Sequence, residues 1–359
     1  MIPAITVTAP SGQLSNALLH IVQGLERLGV DVLTDLEFQP GRTDGVGNSG
    51  GFNIYPPYSL LTPTRFRKSS DLGHGPLFVD LTFGNPKDWG MVAAEMAKRP
   101  VILFNMNDNC TLASYPDTWI VFTANHSHHA SMSGRHFPFQ LGVSQDLLTL
   151  IEQQKLATRP RDGSVLRNFR PSWNQNVRDM LDLAMVPALT RHFHVRRSLG
   201  GSLEQYLDGM SAASAVLAYG GQLVFDYFKD DAPAQSVHCK FPRFKGPVEV
   251  MRWDGWRFYE ACAFGCAPLQ LDFTKYGFSL PAPPKAWQEY IPVDLEEISF
   301  LPQKLALEVR ADPQFFARIG AGARQWLLRE AAPEATARHV LATLARVADE
   351  AAVRHGANA

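Results

Sequence analysis

The sequence predicts an α/β protein of two Rossmann-like domains that face each other across a cleft, with closing helices at the C-terminus. Three observations predict this class. The chain has 359 residues, more than one hydrophobic core usually supports. Short apolar segments alternate with amphipathic helical patterns along most of its length, as in parallel sheets. A polar, proline-broken segment at residues 157–163 divides this series near its middle and is a candidate linker.

The predicted domain limits are residues 1–158, residues 159–335 and a C-terminal helix at 336–359. The first domain opens with one βαβ unit, in the order strand, helix, strand at residues 5–9, 13–28 and 30–33. Its Pro-Ser-Gly loop, which contains Gly12, follows the first strand, where open parallel sheets bind ligands. The loop lacks the GxGxxG spacing, so it is a weak candidate for a dinucleotide site.

The same alternation continues along the chain. In the first domain we expect strands at 77–83, 101–106 and 119–123, and helices at 89–98 and 143–155. In the second we expect strands at 165–169, 192–195, 215–219, 269–271 and 290–293, and helices at 174–185, 203–212 and 256–264. Helices at 294–309, 312–328 and 333–354 close the chain. Residues 39–70 are rich in Gly, Pro, Ser and Asn, which predicts loops over a cleft.

The composition argues against several classes of function. A formal net charge of −1 gives no electrostatic reason to expect a nucleic-acid partner. The four cysteines lack zinc-site spacing. Cys262 and Cys266 lie one helical turn apart in an apolar helix and are expected to be buried thiols, which favours a reducing, cytoplasmic compartment. The N-terminus lacks a signal-peptide pattern, and no apolar run approaches the ~18 residues that span a bilayer. Peripheral contact with a membrane stays open.

Two charged residues, Arg257 and Glu260, lie inside the apolar helix predicted at 256–264. Gly265 is expected to end this helix in the left-handed conformation, before a buried strand. The two charges are three residues apart and therefore share one face of the helix. Charges in such a segment need a partner, which is either the other charge or a ligand. Taken alone, the pair is best interpreted as a structural ion pair.

Polar residues follow the predicted strands of the first domain. Asp108 follows the strand at 101–106, and His126 opens a group of histidines after the strand at 119–123, with His128, His129 and His136. These histidines allow three interpretations: metal ligands, one general base or polar ligand contact, or scattered loop residues. No cysteine or acidic residue close in sequence completes a metal shell, so a metal site is not predicted.

Basic residues lie at the predicted strand ends of the second domain, namely Arg167, Arg170, Arg196 and Arg197. Arginines in such positions, with helix N-termini nearby, suit a diphosphate group. Ordinary surface arginines are the alternative, and Arg170 is the strongest candidate for an anion contact. The sequence contains neither a Gly-x-Ser-x-Gly elbow nor a Walker loop.

The most specific motif is at residues 257–268, which read Arg-Phe-Tyr-Glu-Ala-Cys-Ala-Phe-Gly-Cys-Ala-Pro. It resembles the Arg-x-x-Glu-Ala-x-x-x-Gly-Cys-x-Pro motif of exostosin-like glycosyltransferases. More broadly it is similar to the donor-site helix of two-domain GT-B glycosyltransferases. Its surroundings agree in order, with Arg-Asn-Phe-Arg-Pro at 167–171, Asn-Val-Arg at 176–178 and Tyr-Ile-Pro-Val-Asp at 290–294. The resemblance covers residues 166–340.

The resemblance implies a glycosyltransferase that moves a sugar from a nucleotide diphosphate sugar to a glycan, lipid or small-molecule hydroxyl, as in polysaccharide biosynthesis. It places the donor in the second domain and the acceptor in the first. Carried over, Glu260 holds the ribose while Arg257 and Arg170 face the diphosphate. The predicted donor site is completed by Arg196, Gly220 and Gly12. The nucleotide sugar is a co-substrate, and neither a cofactor nor a metal is expected, because amides and arginines stabilise a leaving diphosphate.

An inverting transferase also needs a base that takes the proton of the acceptor hydroxyl. His126 and Asp108 are the candidates from the first domain, with Glu37 a distant third. A retaining enzyme would need none of them. Two other functions stay open: a non-catalytic protein that binds sugar nucleotides or glycans, and a sugar-nucleotide epimerase or hydrolase. An NAD-dependent oxidoreductase is least expected, because the glycine fingerprint is missing.

Overall fold

A computed structural model shows the architecture of the protein. The structure describes residues 4–10, 14–36, 67–68, 75–82, 89–106, 115, 118–124, 135–169, 176–198, 202–224, 249–252 and 255–356. Within these ranges the chain forms two parallel sheets, one in each half, with helices packed on them. The predicted α/β class with two parallel sheets is confirmed. The limits of the two predicted domains stay a prediction.

The first half contains a seven-stranded sheet in the order β3-β2-β1-β4-β5-β6-β7, with every pair parallel. Its strands are β1 (Ile5–Thr8), β2 (Val32–Thr34), β3 (Arg67–Lys68), β4 (Leu77–Asp80), β5 (Val101–Asn105), β6 (Ile120–Thr123) and β7 (Arg135–Pro138). Its helices are α1 (Asn16–Arg27), α2 (Trp89–Met96) and α3 (Gln145–Gln153). The strand order reverses between β1 and β4, which is where open sheets form a ligand crevice.

The second half contains a five-stranded parallel sheet and a two-stranded hairpin. Their strands are β8 (Val165–Arg167), β9 (Val195–Arg197), β10 (Ala215–Leu217), β11 (Gln222–Val224), β12 (Glu249–Met251), β13 (Ala267–Leu271) and β14 (Ile291–Val293). The helices are α4 (Asn176–Ala184), α5 (Val186–Leu189), α6 (Leu203–Ala212) and α7 (Trp256–Phe264). The sheet order is β14-β13-β10-β8-β9, so the reversal falls between β8 and β10.

The chain closes with α8 (Leu301–Ala311), α9 (Phe315–Trp326), a π-helical segment (Leu327–Ala331) and α10 (Pro333–Gly356). Helix α10 returns to the first half of the chain. Its Glu350 pairs with Arg135 of β7 at 3.4 Å, and its Glu334 pairs with Arg27 of α1 at 3.5 Å. The chain therefore passes between the two halves twice, once at residues 156–164 and once at residues 327–356, where the π-helical segment and α10 return to the first half. We refer to this second passage as the crossover.

Two glycines of the first half leave space for the backbone of the segment that returns from the second half. A Cβ on Gly24 would overlap the Pro333 carbonyl and lie 2.8 Å from the Ala337 Cβ. A Cβ on Gly142, whose φ is +65°, would lie 2.7 Å from the Ala331 oxygen. The Gln140 side chain also donates a hydrogen bond to the Glu330 carbonyl. Because neither glycine carries a side chain, the crossover can lie directly against α1 and the segment after β7.

Most predicted elements lie within a few residues of the observed ones, and the bounds of α6 and α7 match. Gly265 ends α7 with φ +71°, as predicted. The expectation that Asp294 begins a helix is wrong: α8 begins at Leu301. Asp294 instead accepts hydrogen bonds from the Glu296 amide at 3.0 Å and from Lys275 at 2.7 Å, which closes a turn after β14.

Further details differ from the sequence prediction. Arg196 and Arg197 lie within β9, although the sequence places them beyond that strand. Strand β7 and the hairpin of β11 and β12 were not predicted. The candidate linker at 157–163 packs against the second half, since Arg161 donates hydrogen bonds to the carbonyls of Met210 and Phe264. The loop predicted at 39–70 lies almost entirely outside the described residues.

Candidate functional site

Helix α7 begins at the carboxyl edge of the second sheet. The helix lies between β10 and β13 in the chain, and these two strands are parallel neighbours in the sheet. Its N-terminus is therefore at the same edge as the carboxyl ends of β8 and β10. Every residue from Arg257 to Phe264 is buried. Phe258 and Tyr259 pack on Trp326 of α9, with ring centroids 5.6 and 6.1 Å apart. The apolar packing fixes the helix rigidly and holds its charged residues in place.

Arg257 and Glu260 form a buried ion pair. The Arg257 Nη1 donates a hydrogen bond to Glu260 Oε2, and their side chains are 7% and 4% exposed. The Arg257 Nε also donates to the Asn168 carbonyl oxygen at 3.3 Å. The sequence-predicted pair is therefore real. Its guanidinium is oriented by two acceptors, one on its own helix and one at the end of β8, which positions the Glu260 carboxylate.

Tyr206 of α6 covers the same pair. The Arg257 guanidinium carbon lies 5.4 Å from the Tyr206 ring centroid. Burial, followed by the negative charge of Glu260, raises the pKa of the Tyr206 hydroxyl well above its usual value. Asn168, Tyr206, Arg257 and Glu260 thus come together from three elements. We refer to these four residues as the α7 polar cluster.

Asn168 is a member of this cluster that the sequence did not single out. It directly follows β8, one of the two strands between which the sheet order reverses, and is 8% exposed. Its Nδ2 lies 3.4 Å from the Met210 sulfur. Its Oδ1 is buried and accepts no hydrogen bond from any residue that the structure describes. Such an unsatisfied oxygen is uncommon in a protein interior.

The arginines near β8 differ in their partners. Arg167, a weaker candidate than Arg170 for a phosphate contact, donates to both the Asp182 carboxylate and the Phe169 carbonyl. Arg178 of α4 donates to the Tyr219 carbonyl at 3.2 Å. One nitrogen of Arg178 would lie 2.8 Å from a Cβ on Gly255, the residue that precedes α7. Gly255 thus lets this guanidinium approach the N-terminus of α7, a placement that the sequence did not reveal.

Gly220 follows β10 at the same edge. Its amide donates a hydrogen bond to the Gln270 side-chain oxygen at 3.1 Å. The next residue, Gly221, has φ +141°, and a Cβ there would lie 3.0 Å from side-chain atoms of Leu271 and Val250. The glycine turn is therefore required for close packing, and it lies beside the end of β13.

Arg196 is not brought to this edge. Its guanidinium pairs with Asp162 at 2.8 Å, and Asp162 precedes β8, on the amino side of the sheet. This position does not favour the predicted donor-binding role for Arg196. Four other predicted site residues lie outside the described residues, namely Arg170, Gly12, His126 and Asp108.

The first sheet has a buried carboxyl group at its own reversal point. Asp80 ends β4 and accepts hydrogen bonds from the amides of Ser15 at 2.5 Å and Thr82 at 2.9 Å. Ser15 caps α1, so Asp80 ties the N-terminus of that helix to the sheet. Burial raises the pKa of Asp80, and the hydrogen bonds to Thr82 and Ser15 oppose that rise. The strand was predicted from the sequence, but this role of Asp80 was not.

The two halves also meet beside α7. His20 of α1 contacts Trp256 edge to face, with ring centroids 5.4 Å apart, and its Nδ1 lies 2.8 Å from the Leu141 carbonyl oxygen. Trp256 directly precedes Arg257, so the α7 polar cluster begins one residue from this junction. Across the described ranges no group of three or more His, Cys, Asp or Glu residues could hold a metal ion. Among the described helices, none contains an apolar stretch that could span a bilayer.

No protein-family model and no curated protein matches this chain. Solved structures of low identity match nearly all of it. A glycosyltransferase from Rickettsia africae ESF-5 is 9% identical, with a TM-score of 0.51 over 95% of this chain and 97% of that chain. A sucrose-phosphate synthase from Thermosynechococcus elongatus is 12% identical, with a TM-score of 0.51 over 98% and 100%. A glycosyltransferase involved in avilamycin A biosynthesis is 13% identical, with a TM-score of 0.50 over 97% and 98%. At this identity the likeness shows the fold, which is the GT-B arrangement of two Rossmann-like domains.

Proposed function

We propose that this protein is a glycosyltransferase that moves a sugar from a nucleoside diphosphate sugar to an acceptor hydroxyl. The single observation that supports it best is the buried pair of Arg257 and Glu260 at the N-terminus of α7. The pair lies at the carboxyl edge of a parallel sheet, close to the point where the strand order reverses. The fold is one on which glycosyltransferases occur, and fold alone would not justify the proposal.

Glu260 would accept hydrogen bonds from the donor's ribose. Its carboxylate is oriented by Arg257, which in turn is held by the Asn168 carbonyl. A carboxylate fixed in this way binds hydroxyl groups without first paying to order its side chain, so affinity rises. Arg257 is therefore a positioning residue in this scheme. This differs from the role in diphosphate binding that the family resemblance implies.

The leaving diphosphate would be stabilised by basic side chains and by backbone amides at the same edge. Arg170 stays a proposed contact, and the Gly220 turn lies beside the proposed site. The reaction is proposed to need no metal. His126 and Asp108 stay proposed bases for an inverting reaction, supplied from the first domain. The acceptor is a glycan, lipid or small molecule, and the exostosin-like motif at 257–268 favours a glycan.

Calorimetric titration with UDP, GDP, ADP and CDP tests the donor site. We expect one of them to bind, and Glu260→Gln to weaken its binding about 10- to 100-fold, the usual range for hydrogen bonds to a charged group. Glu334→Gln removes a carboxylate from the surface of α10 and is the matched control. It should leave the affinity unchanged. Because Glu260→Gln leaves Arg257 buried without its carboxylate, thermal unfolding must accompany each titration.

A second variant separates binding from folding. Arg257→Met with Glu260→Leu removes both buried charges, a change that proteins often tolerate. If this variant is folded and still binds the nucleotide with full affinity, the proposed site is wrong. Transfer is then measured with the matching nucleotide sugars and a set of glycan acceptors. Binding without turnover would point to a non-catalytic binding protein, whereas donor consumption without acceptor would point to a hydrolase or epimerase.

A further inference from the structure

The carboxamide of Asn168 has one satisfied end and one unsatisfied end. Its Nδ2 lies 3.4 Å from the Met210 sulfur, which is a hydrogen-bond acceptor without a proton to give. This contact fixes the orientation of the amide, because the reverse orientation would place an oxygen against the sulfur. The unsatisfied atom is therefore the acceptor Oδ1, which receives no hydrogen bond from any described residue.

The position of this oxygen matters as much as its lack of a donor. Asn168 directly follows β8, which borders the reversal point of the second sheet, and its backbone carbonyl accepts a hydrogen bond from the same guanidinium that orients Glu260. A buried, unsatisfied oxygen costs a protein stability, so an apolar residue would be favoured there if stability alone mattered. The arrangement instead leaves an acceptor within the α7 polar cluster for a group that arrives with a ligand.

We propose that Asn168 Oδ1 accepts a hydrogen bond from a ribose hydroxyl of the bound donor nucleotide. This inference rests on the proposed function. Near neutral pH the diphosphate offers mainly oxygen acceptors, so it cannot satisfy Oδ1. The hydrogen-bond donors of a nucleoside diphosphate are the ribose hydroxyls and the N–H groups of the base. Arg257 contacts both Asn168 and Glu260, so these two residues belong to one cluster. The group that donates to Oδ1 is therefore a hydroxyl of the ribose that Glu260 binds.

A thermodynamic cycle tests this contact. The nucleoside diphosphate that binds best among UDP, GDP, ADP and CDP is titrated into wild type and Asn168→Leu, together with its 2′-deoxy and 3′-deoxy forms. Leucine has the same branched shape and the same number of non-hydrogen atoms in its side chain, but no hydrogen-bond acceptor. We expect Asn168→Leu to bind the full ribose form about tenfold more weakly, the usual effect of one hydrogen bond. One deoxy form should bind wild type and variant equally, because the contact is already missing.

Ser164→Ala is the control, since Ser164 is buried at the amino end of the same strand, on the opposite edge of the sheet. It should not change the affinity. If Asn168→Leu does not fold, Asn168→Ala is measured in the same way. Equal loss for the ribose and both deoxy forms, or no loss at all, would overturn the proposal. If wild type binds the nucleotide but the cycle shows no contact between Asn168 and the ribose, this proposal is wrong and the proposed function is unaffected. If wild type binds no nucleotide, both the proposed function and this proposal are wrong.

Discussion

Arg252 of the second half donates a hydrogen bond from Nη2 to the Phe139 carbonyl of the first half, at 2.7 Å. The same guanidinium donates from Nη1 to the Ser279 carbonyl, and the residue is fully buried. One arginine therefore joins segments from both halves of the chain, four residues before α7 begins. The next residues after Phe139 continue this junction, since Gln140 binds the crossover at Glu330 and Leu141 binds His20.

Replacement of Arg252 should destabilise the protein strongly. Arg252→Met leaves the Phe139 and Ser279 carbonyls without this donor in a buried junction, at an expected cost of about 2–5 kcal/mol in the free energy of unfolding. Urea unfolding measures the change. Arg318→Ala removes an exposed arginine that pairs with Asp312 at 3.2 Å, and should change stability by less than about 1 kcal/mol. Equal effects of the two variants would show that the junction does not depend on Arg252.

Alanine substitution should have opposite effects on stability at two helical glycines, Gly24 and Gly209. Gly24→Ala places a Cβ against the Pro333 carbonyl, so α10 must move away from α1, and we expect a loss of about 2 kcal/mol or more. Gly209→Ala in α6 meets no atom within 4 Å and should stabilise the protein by about 0.5–1 kcal/mol. Thermal unfolding of both variants decides the matter. A neutral Gly24→Ala would mean that the helices are not packed this closely.

The two cysteines around α7 should resist modification while the protein is folded. Burial raises the pKa of Cys266 to about 11, against the opposing charge of Arg161, and burial also raises the pKa of Cys262. At pH 8 only about one Cys266 thiol in a thousand is then the reactive thiolate. We expect iodoacetamide to label both sites in urea but not in buffer, as read by peptide mass spectrometry. Rapid labelling of the folded protein would contradict the burial of this helix.

Local patterns account for what the sequence predicted. The bounds of α7 follow from its apolar residues and from Gly265, which adopts a left-handed conformation that few other residues accept. The spacing of Arg257 and Glu260 likewise required one shared face. The sequence could not show that Arg257 would also bind the Asn168 carbonyl, because the two residues are 89 positions apart.

The features that could not be predicted from the sequence depend on contacts between segments that are far apart in the chain. The return of α10 depends on Gly24 and Gly142, neither of which carries a local signal for the helix that packs on it. Nothing in the sequence around Arg252 indicates that this residue is buried between segments of both halves. Asn168 reads as an ordinary strand end. Its unsatisfied oxygen emerges only when the surrounding residues are in place.

The stability of the folded protein should fall in mild acid because of His20. Burial lowers the pKa of His20 from 6.5 to about 4, partly opposed by the hydrogen bond to the Leu141 carbonyl. The ring therefore stays neutral in the folded state at a pH where the unfolded chain already binds a proton. The contribution of neutral His20 is complete above pH 6.5, and it is lost as the pH falls from 6.5 to about 4. The full loss is about 3 kcal/mol.

Urea unfolding of wild type and His20→Gln, measured between pH 8 and pH 4.5, isolates this effect. His339 also has a lowered pKa and is present in both proteins, so its contribution cancels in the difference. We expect wild type to be more stable than the variant at pH 8, because glutamine loses the edge contact with Trp256. The difference should shrink steadily below pH 6.5, as only wild type must keep a buried imidazole neutral. A difference that stays constant with pH would show that His20 does not titrate between the folded and unfolded states, and that the junction beside α7 is open to water.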